Sequence, residues 1–165
     1  MSADSKDTNK PTAIMHMVVP GSLVSPFDVN MAVDAGYAVV QPYTGVEVAQ
    51  VSALVQDAIF SRPPGYFART GFFLGGNDVN TALDMFDQAT GAMVPPFELS
   101  VFADPNGAFT TAAAMVALIE NYLGRDTPHT PEAESSLTGL TVSIFGGGPV
   151  GLCAAVLSAL SLIHI

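Results

Sequence analysis

Apolar strands and helix-period stripes alternate along the chain. Ala13 to Pro20 (AIMHMVVP) is a short apolar run and predicts a strand. SPFDVNMAVDAGY follows, with Ser25 placed to cap a helix and Pro26 at its first position. Ala38 to Tyr43 (AVVQPY) predicts a second strand. From Gly45 to Phe60, Val48, Val51, Val55 and Ile59 recur at helical spacing, and SRPPG (Ser61 to Gly65) ends that helix, because two prolines cannot continue it. GFFLGG (Gly71 to Gly76) predicts a buried strand with a glycine exit. Asn77 or Asp78 can cap the next helix, whose stripe is Val79, Ala82, Leu83 and Phe86 and whose end is marked by Val94 to Pro96. Phe97 to Gly107 (FELSVFADPNG) predicts a strand running into a turn. AFTTAAAMVALIENYLG is a helix stopped by Gly124; it is apolar nearly all round and is expected to be buried.

Arg125 to Thr138 (RDTPHTPEAESSLT) breaks the pattern with prolines and acids and reads as a linker. Beyond it, Leu140 to Phe145 is β-rich and Leu152 to Leu160 is an apolar helical run. The expected organisation is a leader (1–12), an α/β domain with a mostly parallel sheet (13–124), the linker (125–138) and the start of a second β/α domain (139–165).

Composition narrows the function classes. Hydrophobic residues make up 49 % and charged residues 12 %, which excludes a disordered chain and suits elements buried on both faces. The net charge is −10, and Lys6, Lys10, Arg62, Arg69 and Arg125 are the only strong cations, so nucleic-acid binding is not expected. The single cysteine, Cys153, cannot form an internal disulfide and reads as inert packing in a reducing cytoplasm. The polar start, Met1 to Pro11, has no secretory pattern and reads as a disordered leader. Thr138 to Ile165 lacks any Asp, Glu, Lys or Arg and is long enough to span a bilayer, but Gly146 to Pro149 breaks the helix a span needs, so no membrane insertion is expected.

Two stretches carry candidate chemistry. Gly146-Gly147-Gly148-Pro149-Val150-Gly151 is a G-x-G-x-x-G placed between a β-rich run and a helical run, which is the context a dinucleotide site requires. Gly146 would allow the tight turn, Gly148 the approach of the pyrophosphate, and Gly151 the close packing of helix and strand. The helix N-terminus would then face the pyrophosphate with free N–H groups. The acid that would hold the ribose hydroxyl lies about 20 residues further on, beyond Ile165, so NAD and NADP both stand. The second stretch, ADPNGAFTT (Ala103 to Thr111), gathers Asp104, Asn106, Thr110 and Thr111 at a strand's carboxyl end, where ligands of open α/β sheets bind. Asp and Asn are also common helix caps and Asp-Pro-Asn-Gly is good turn chemistry, so both readings stand. Gly75 and Gly76 permit close approach of a ligand or a loop and lack phosphate-loop spacing. His16, His129 and His164 lack metal spacing, and Arg62 and Arg69 read first as solvated surface.

FSRPPGYFARTGFFLGGNDVNTALDMF, MVPPFELSVFADPNGAFTTAAAMVALIE and LTVSIFGGGPVG together resemble the NAD(P)-dependent methylene-tetrahydromethanopterin dehydrogenases of methylotrophic bacteria, over about Ala13 to Leu157. The resemblance implies an N-terminal α/β domain for the pterin substrate, a Rossmann domain for NADP or NAD, and hydride transfer that turns methylene- into methenyl-tetrahydromethanopterin in formaldehyde oxidation. It implies no metal and no flavin, a cytoplasmic enzyme, and a homo-oligomer when full-length. A tetrahydrofolate-using relative and a non-catalytic ligand-binding module are the alternatives. Loss of hydride leaves a cation that the two flanking nitrogens stabilise, so positioning is expected to outweigh acid–base chemistry. On that basis Asp104 is expected to favour the developing charge as the catalytic group, with Asn106, Gly107, Thr110 and Thr111 at the substrate and residues 146–151 at the cofactor. Family members continue for roughly another domain. The chain is therefore expected to be an N-terminal fragment, inactive by itself. SALSLIHI (Ser158 to Ile165) supplies no turn, so its last five to eight residues are expected not to be native.

Overall fold

The computed structural model describes residues 11–123 and 139–162. Most of the expected leader, the Gly124 helix stop, the linker 125–138 and the last three residues lie outside the described residues. The chain divides into two compact units: one runs to Gly76 and resumes over Asn80–Ala103, and the other comprises Asn77–Val79 and the chain from Asp104 onward.

In the first unit, β1 (Ile14–Val18), β2 (Val39–Tyr43), β3 (Thr70–Leu74) and β4 (Ser100–Ala103) form one parallel sheet in the order β2-β1-β3-β4. The helices α1 (Pro26–Asp34), α2 (Val51–Phe60) and α3 (Val79–Gly91) connect them. Alternation along the strands sorts the side chains. Met15, Met17 and Phe73 meet Ala32 of α1 on one face. Val18, Phe72 and Leu74 meet Val51, Val55 and Ile59 of α2 and Met85 and Ala89 of α3 on the other. Each fully buried side chain of this size stabilises by roughly 1.5–3 kcal/mol. Pro42 sits in β2, an edge strand, where a missing N–H is tolerated.

The alternating β/α pattern predicted from sequence holds, with local corrections. Ser25 caps α1 as expected, its hydroxyl accepting from the Phe27 N–H at 3.2 Å. The helix expected from Gly45 begins with a single tight turn at Val48–Gln50 and becomes α-helical only at Val51. In α3 the buried positions are Ala82, Met85 and Ala89, and Phe86 packs partly buried against the same core, whereas Leu83 is exposed; the inward stripe keeps Ala82 and Phe86 of the predicted one and extends toward Met85 and Ala89. The strand expected from Phe97 pairs only from Ser100. Arg62 and Arg69 are not free surface cations. Arg62 donates to Thr70 Oγ1 and the Thr12 carbonyl, both at 2.9 Å, and Arg69 Nε donates to the Pro11 carbonyl at 3.2 Å. They pin the amino ends of β1 and β3.

The sheet order reverses between β1 and β3, the position where open α/β sheets form ligand crevices. Here the exit is closed by protein. A Cβ on Gly75 would lie 3.1 Å from Val19 Cγ1, and one on Gly76 (φ +116°) 3.0 Å from Pro20 Cδ. The two glycines therefore admit a neighbouring loop.

In the second unit, α4 (Ala108–Leu123) packs on α5 (Pro149–Leu162). Ala112, Val116 and Ala154 form the buried contact, flanked by Val150, Cys153 and Leu157. The expected burial of α4 on all sides is overturned: Ala108, Ala112 and Val116 are buried, but Leu118 and Tyr122 are each 69 % exposed. A stripe of small residues every four positions lets α5 approach one face, and the other faces lack such cover among the described residues. The expected strand at Leu140 to Phe145 is also corrected. The segment joins no ladder among the described residues, and Phe145 is 98 % exposed.

Candidate functional site

Asp104 follows β4 directly and is 7 % exposed. Its Oδ1 accepts from the Phe109 N–H at 2.8 Å and the Thr110 N–H at 3.3 Å, and its Oδ2 accepts from the Thr110 hydroxyl at 2.5 Å. The carboxylate reaches past the Pro105–Gly107 turn to satisfy the first amides of α4, which have no partner inside the helix. It also places negative charge at the positive end of the helix. Both sequence readings therefore bear on one group, and the capping geometry is explicit. Asn106 (φ 53°) and Gly107 (φ 67°) take left-handed conformations that form the turn, a conformation asparagine tolerates and glycine adopts freely. Asn106 and Thr111 are exposed.

The glycine turn takes the tight backbone its spacing predicts, without a laddered strand before it among the described residues. Gly146 has φ +118°, which an L side chain rarely adopts. A Cβ on Gly151 would run into the Gly146 carbonyl oxygen and lie 3.6 Å from Ile144 Cγ2, so this glycine closes the turn on itself. Cβ atoms on Gly147 or Gly148 would meet nothing within 4 Å, which leaves that backbone open. Pro149 opens α5, and the Leu152 N–H donates to the Gly148 carbonyl at 3.0 Å. The amides of Val150 and Gly151 precede that bond and belong to the free helix end. A groove of about 630 Å³ runs along the turn, lined by Met115, Val142, Phe145, Gly148 and Pro149 among others. These features fit the pyrophosphate of a dinucleotide: open glycine backbone, a helix N-terminus, and no anionic side chain in the lining.

The structure brings the two predicted stretches together. Residues 104–111 and 146–151 lie in the same compact unit, and α5 packs against both α4 and the Pro105–Gly107 turn. Cys153, expected to be inert packing, is half-buried in this contact. Burial, and then the Asp104 charge, push its thiol above the ordinary range, so it stays protonated near neutrality. No group of three or more His, Cys, Asp or Glu is placed to hold a metal among the described residues. No helix among them is long and apolar enough to cross a membrane.

Sequence reasoning missed two features of the first unit. His16 Nδ1 lies 3.2 Å from the Tyr43 hydroxyl, and burial, then the charge of Arg62, hold its imidazole below the usual value. A shallow surface depression lies where β2 leads toward α2, lined by Tyr43, Val46, Gln50 and Leu54 among others. The signal for both was Tyr43-Thr44-Gly45, a strand exit with a glycine, which the pattern alone reads as a plain turn.

Residues 26–106 match the family model described as methylene-tetrahydromethanopterin dehydrogenase, N-terminal. Two curated proteins of Methylorubrum extorquens are similar. One, named NAD(P)-dependent methylenetetrahydromethanopterin dehydrogenase, is 50 % identical over 149 residues, which cover 90 % of this chain and 48 % of the relative. The other, named Bifunctional protein MdtA, is 34 % identical over 100 residues, covering 61 % of this chain and 35 % of the relative. The chain thus spans half the length of these relatives or less. The matched segment runs from α1 through β2, β3 and β4 into the Asp104 turn, and over it the chain is similar to the methylene-tetrahydromethanopterin dehydrogenase family.

Proposed function

We propose that this chain supplies the pterin-substrate domain and the opening of the cofactor domain of an NAD(P)-dependent methylene-tetrahydromethanopterin dehydrogenase. The observation that carries the reading is the pairing, in one unit, of the Asp104 turn with a dinucleotide-type glycine turn. A nicotinamide cofactor, when bound, accepts the hydride that leaves the methylene carbon. Open backbone at Gly147 and Gly148, with the free amides of Val150 and Gly151, would hold its pyrophosphate. The residues at 104–111 act on the other partner. Asp104 fixes the first turn of α4, and that turn presents the Asn106 amide and the Thr111 hydroxyl to the substrate. Gly107 gives the backbone the conformation the turn requires. Thr110 is tied to Asp104, so its part is to hold the carboxylate in place. The flanking nitrogens of the substrate stabilise the cation left behind, so no strong base is required of these residues. The Asp104 charge would add to that stabilisation at short range. The same reading carries a cytoplasmic, homo-oligomeric holoenzyme.

The test is a chimera in which this chain's aligned residues replace the matching half of the Methylorubrum extorquens dehydrogenase. It is expected to reduce NAD(P) with methylene-tetrahydromethanopterin, and a parallel assay with methylene-tetrahydrofolate separates the two carrier types. A folded chimera that binds NAD(P) but transfers no hydride from either carrier would sink the proposal.

A further inference from the structure

The amino end of the first unit's sheet carries an exposed aromatic patch that the candidate site does not use. Phe60, at the end of α2, is 70 % exposed, and Val94, in the loop after α3, is 67 % exposed. Phe97 is exposed beside them, and Tyr66 on the segment that follows α2. Phe60, Val94 and Phe97 form one surface: the two rings lie 5.7 Å apart, and the Phe97 N–H donates to the Val94 carbonyl at 2.7 Å. The surface is also rigid. Phe97 rests edge-on against the buried Phe67 at 6.2 Å, and Pro63, Pro64, Pro95 and Pro96 restrict the two loops around it. Aromatic side chains held in this way lose little freedom on binding, and a contiguous exposed patch of them marks a protein contact.

Charge selects the occupant. Arg62 and Arg69 are the only Lys or Arg among the described residues, and both flank Tyr66; Arg62 Cζ lies 5.2 Å from the centroid of the Tyr66 ring. Their hydrogen bonds go to neutral carbonyls and to the Thr70 hydroxyl, so no anion meets either charge among the described residues. Asp57, one helical turn before Phe60, and Glu98, next to Phe97, are exposed and add two acids to the same surface. A surface with two cations and two acids around an apolar centre is complementary to itself when a two-fold axis turns one copy onto another. The other exposed apolar faces lack this property. Phe27 and Met31 on α1 are accompanied by Asp28 and Asp34, and Leu118 and Tyr122 on α4 by Glu120, with no cation in either helix. Two copies of a chain with net charge −10 would meet there acid against acid.

We propose that this patch is an interface between two copies of this chain, isologous about a two-fold axis, with Phe60 and Phe97 at its centre and Arg62, Arg69, Asp57 and Glu98 around them. The inference rests on the patch and not on the dehydrogenase reading, which the chimera assay tests separately.

Sedimentation velocity of the 165-residue chain between about 1 and about 200 µM reads the oligomeric state. A monomer–dimer equilibrium with a Kd of about 10 µM is expected. Phe60→Ser removes a central anchor, twice in a two-fold interface, and is expected to weaken the dimer at least about thirtyfold. Glu98→Lys adds a cation where cations of the other copy would lie and is expected to weaken it about tenfold. Asp34→Lys changes the net charge by the same amount on α1, which packs on the opposite face of the sheet from α2, and is expected to leave the equilibrium unchanged. All three side chains are exposed, and unchanged thermal melts by circular dichroism keep the losses from being a folding defect. A dimer that Phe60→Ser and Glu98→Lys weaken and Asp34→Lys does not supports the interface. A chain that stays monomeric throughout, a dimer that Phe60→Ser leaves intact, or one that the two Lys variants weaken equally overturns it.

Discussion

Replacing Asp104 separates a structural carboxylate from a catalytic one. The group accepts two backbone N–H bonds, at 2.8 and 3.3 Å, and one hydroxyl bond at 2.5 Å, and it is nearly buried. Loss of a cap costs about 0.5–2 kcal/mol. Hydrogen bonds to a charged group contribute about 1.5–3 kcal/mol, and the two figures share the same Phe109 bond, so they do not add. Asp104→Ala is therefore expected to destabilise by about 2–3 kcal/mol. Asp104→Asn keeps an acceptor for both amides, and its NH₂ can donate to Thr110 Oγ1 once that hydroxyl turns to accept. Its cost is expected to be about 1 kcal/mol, from the lost charge. Urea titration followed by circular dichroism reads both. With a slope of about 2 kcal/mol/M, the Ala variant moves the midpoint down by about 1–1.5 M. An Ala variant within about 0.5 kcal/mol of the parent, or an Asn variant as damaged as Ala, would refute the cap. The same pair in the chimera decides the catalytic role: Asn that keeps the fold but loses hydride transfer assigns it to the charge, and Asn that keeps both leaves Asp104 as a positioning residue.

Two further outcomes follow from the geometry. Gly151→Ala drives a Cβ into the Gly146 carbonyl oxygen, so it is expected to open the turn and lower both thermal stability and NAD(P) affinity, whereas Gly148→Ala meets no protein atom and is expected to lower affinity alone; equal melting temperatures for the two variants would count against this geometry. His16 has a folded value below its unfolded one, so its contribution is complete above about pH 6.5 and is lost as pH falls through the lowered value. Urea stability of the parent is expected to fall more steeply than that of His16→Gln between about pH 7 and about pH 5.5, and parallel profiles would contradict it.

The sheet and its helices were legible because their signals are local and repeated. Val51, Val55 and Ile59 face the core as their spacing requires, and Ser25 caps as its position requires. The resemblance rested on ADPNGAFTT at its spacing before GGGPVG, and each stretch takes a specific backbone: a left-handed Asn106-Gly107 pair, and a left-handed Gly146 with no Cβ at Gly151. What periodicity could not carry was the partner of each face. An all-round apolar helix reads as buried, but α4 gives its buried stripe to α5 and exposes Leu118 and Tyr122. Nor does a strand exit such as Tyr43-Thr44-Gly45 reveal that Gln50, on the following turn, is fixed beside it by a capping bond. The roles of Arg62 and Arg69 were hidden for the same reason: their acceptors, on residues 11, 12 and 70, come together only in the folded sheet.

The glycine turn holds its shape through short-range contacts. A parallel strand is held by its neighbours, and Leu140 to Phe145 has no ladder partner among the described residues. The turn nevertheless has its full geometry, because what defines it is short-range. Gly146 reverses the chain, and Gly151 sits against the Gly146 carbonyl. The Leu152 to Gly148 bond starts the helix ladder. α5 is held by Ala154 packed on Ala112 and Val116. Anchoring α5 to α4 also anchors the turn to the helix that Asp104 caps, so a change at Asp104 that frays the first turn of α4 is transmitted to the glycine turn through side-chain packing. The glycine turn and the 104–111 turn are therefore linked through the α4–α5 seam, and substitutions on it, such as Ala112→Val, should disturb both.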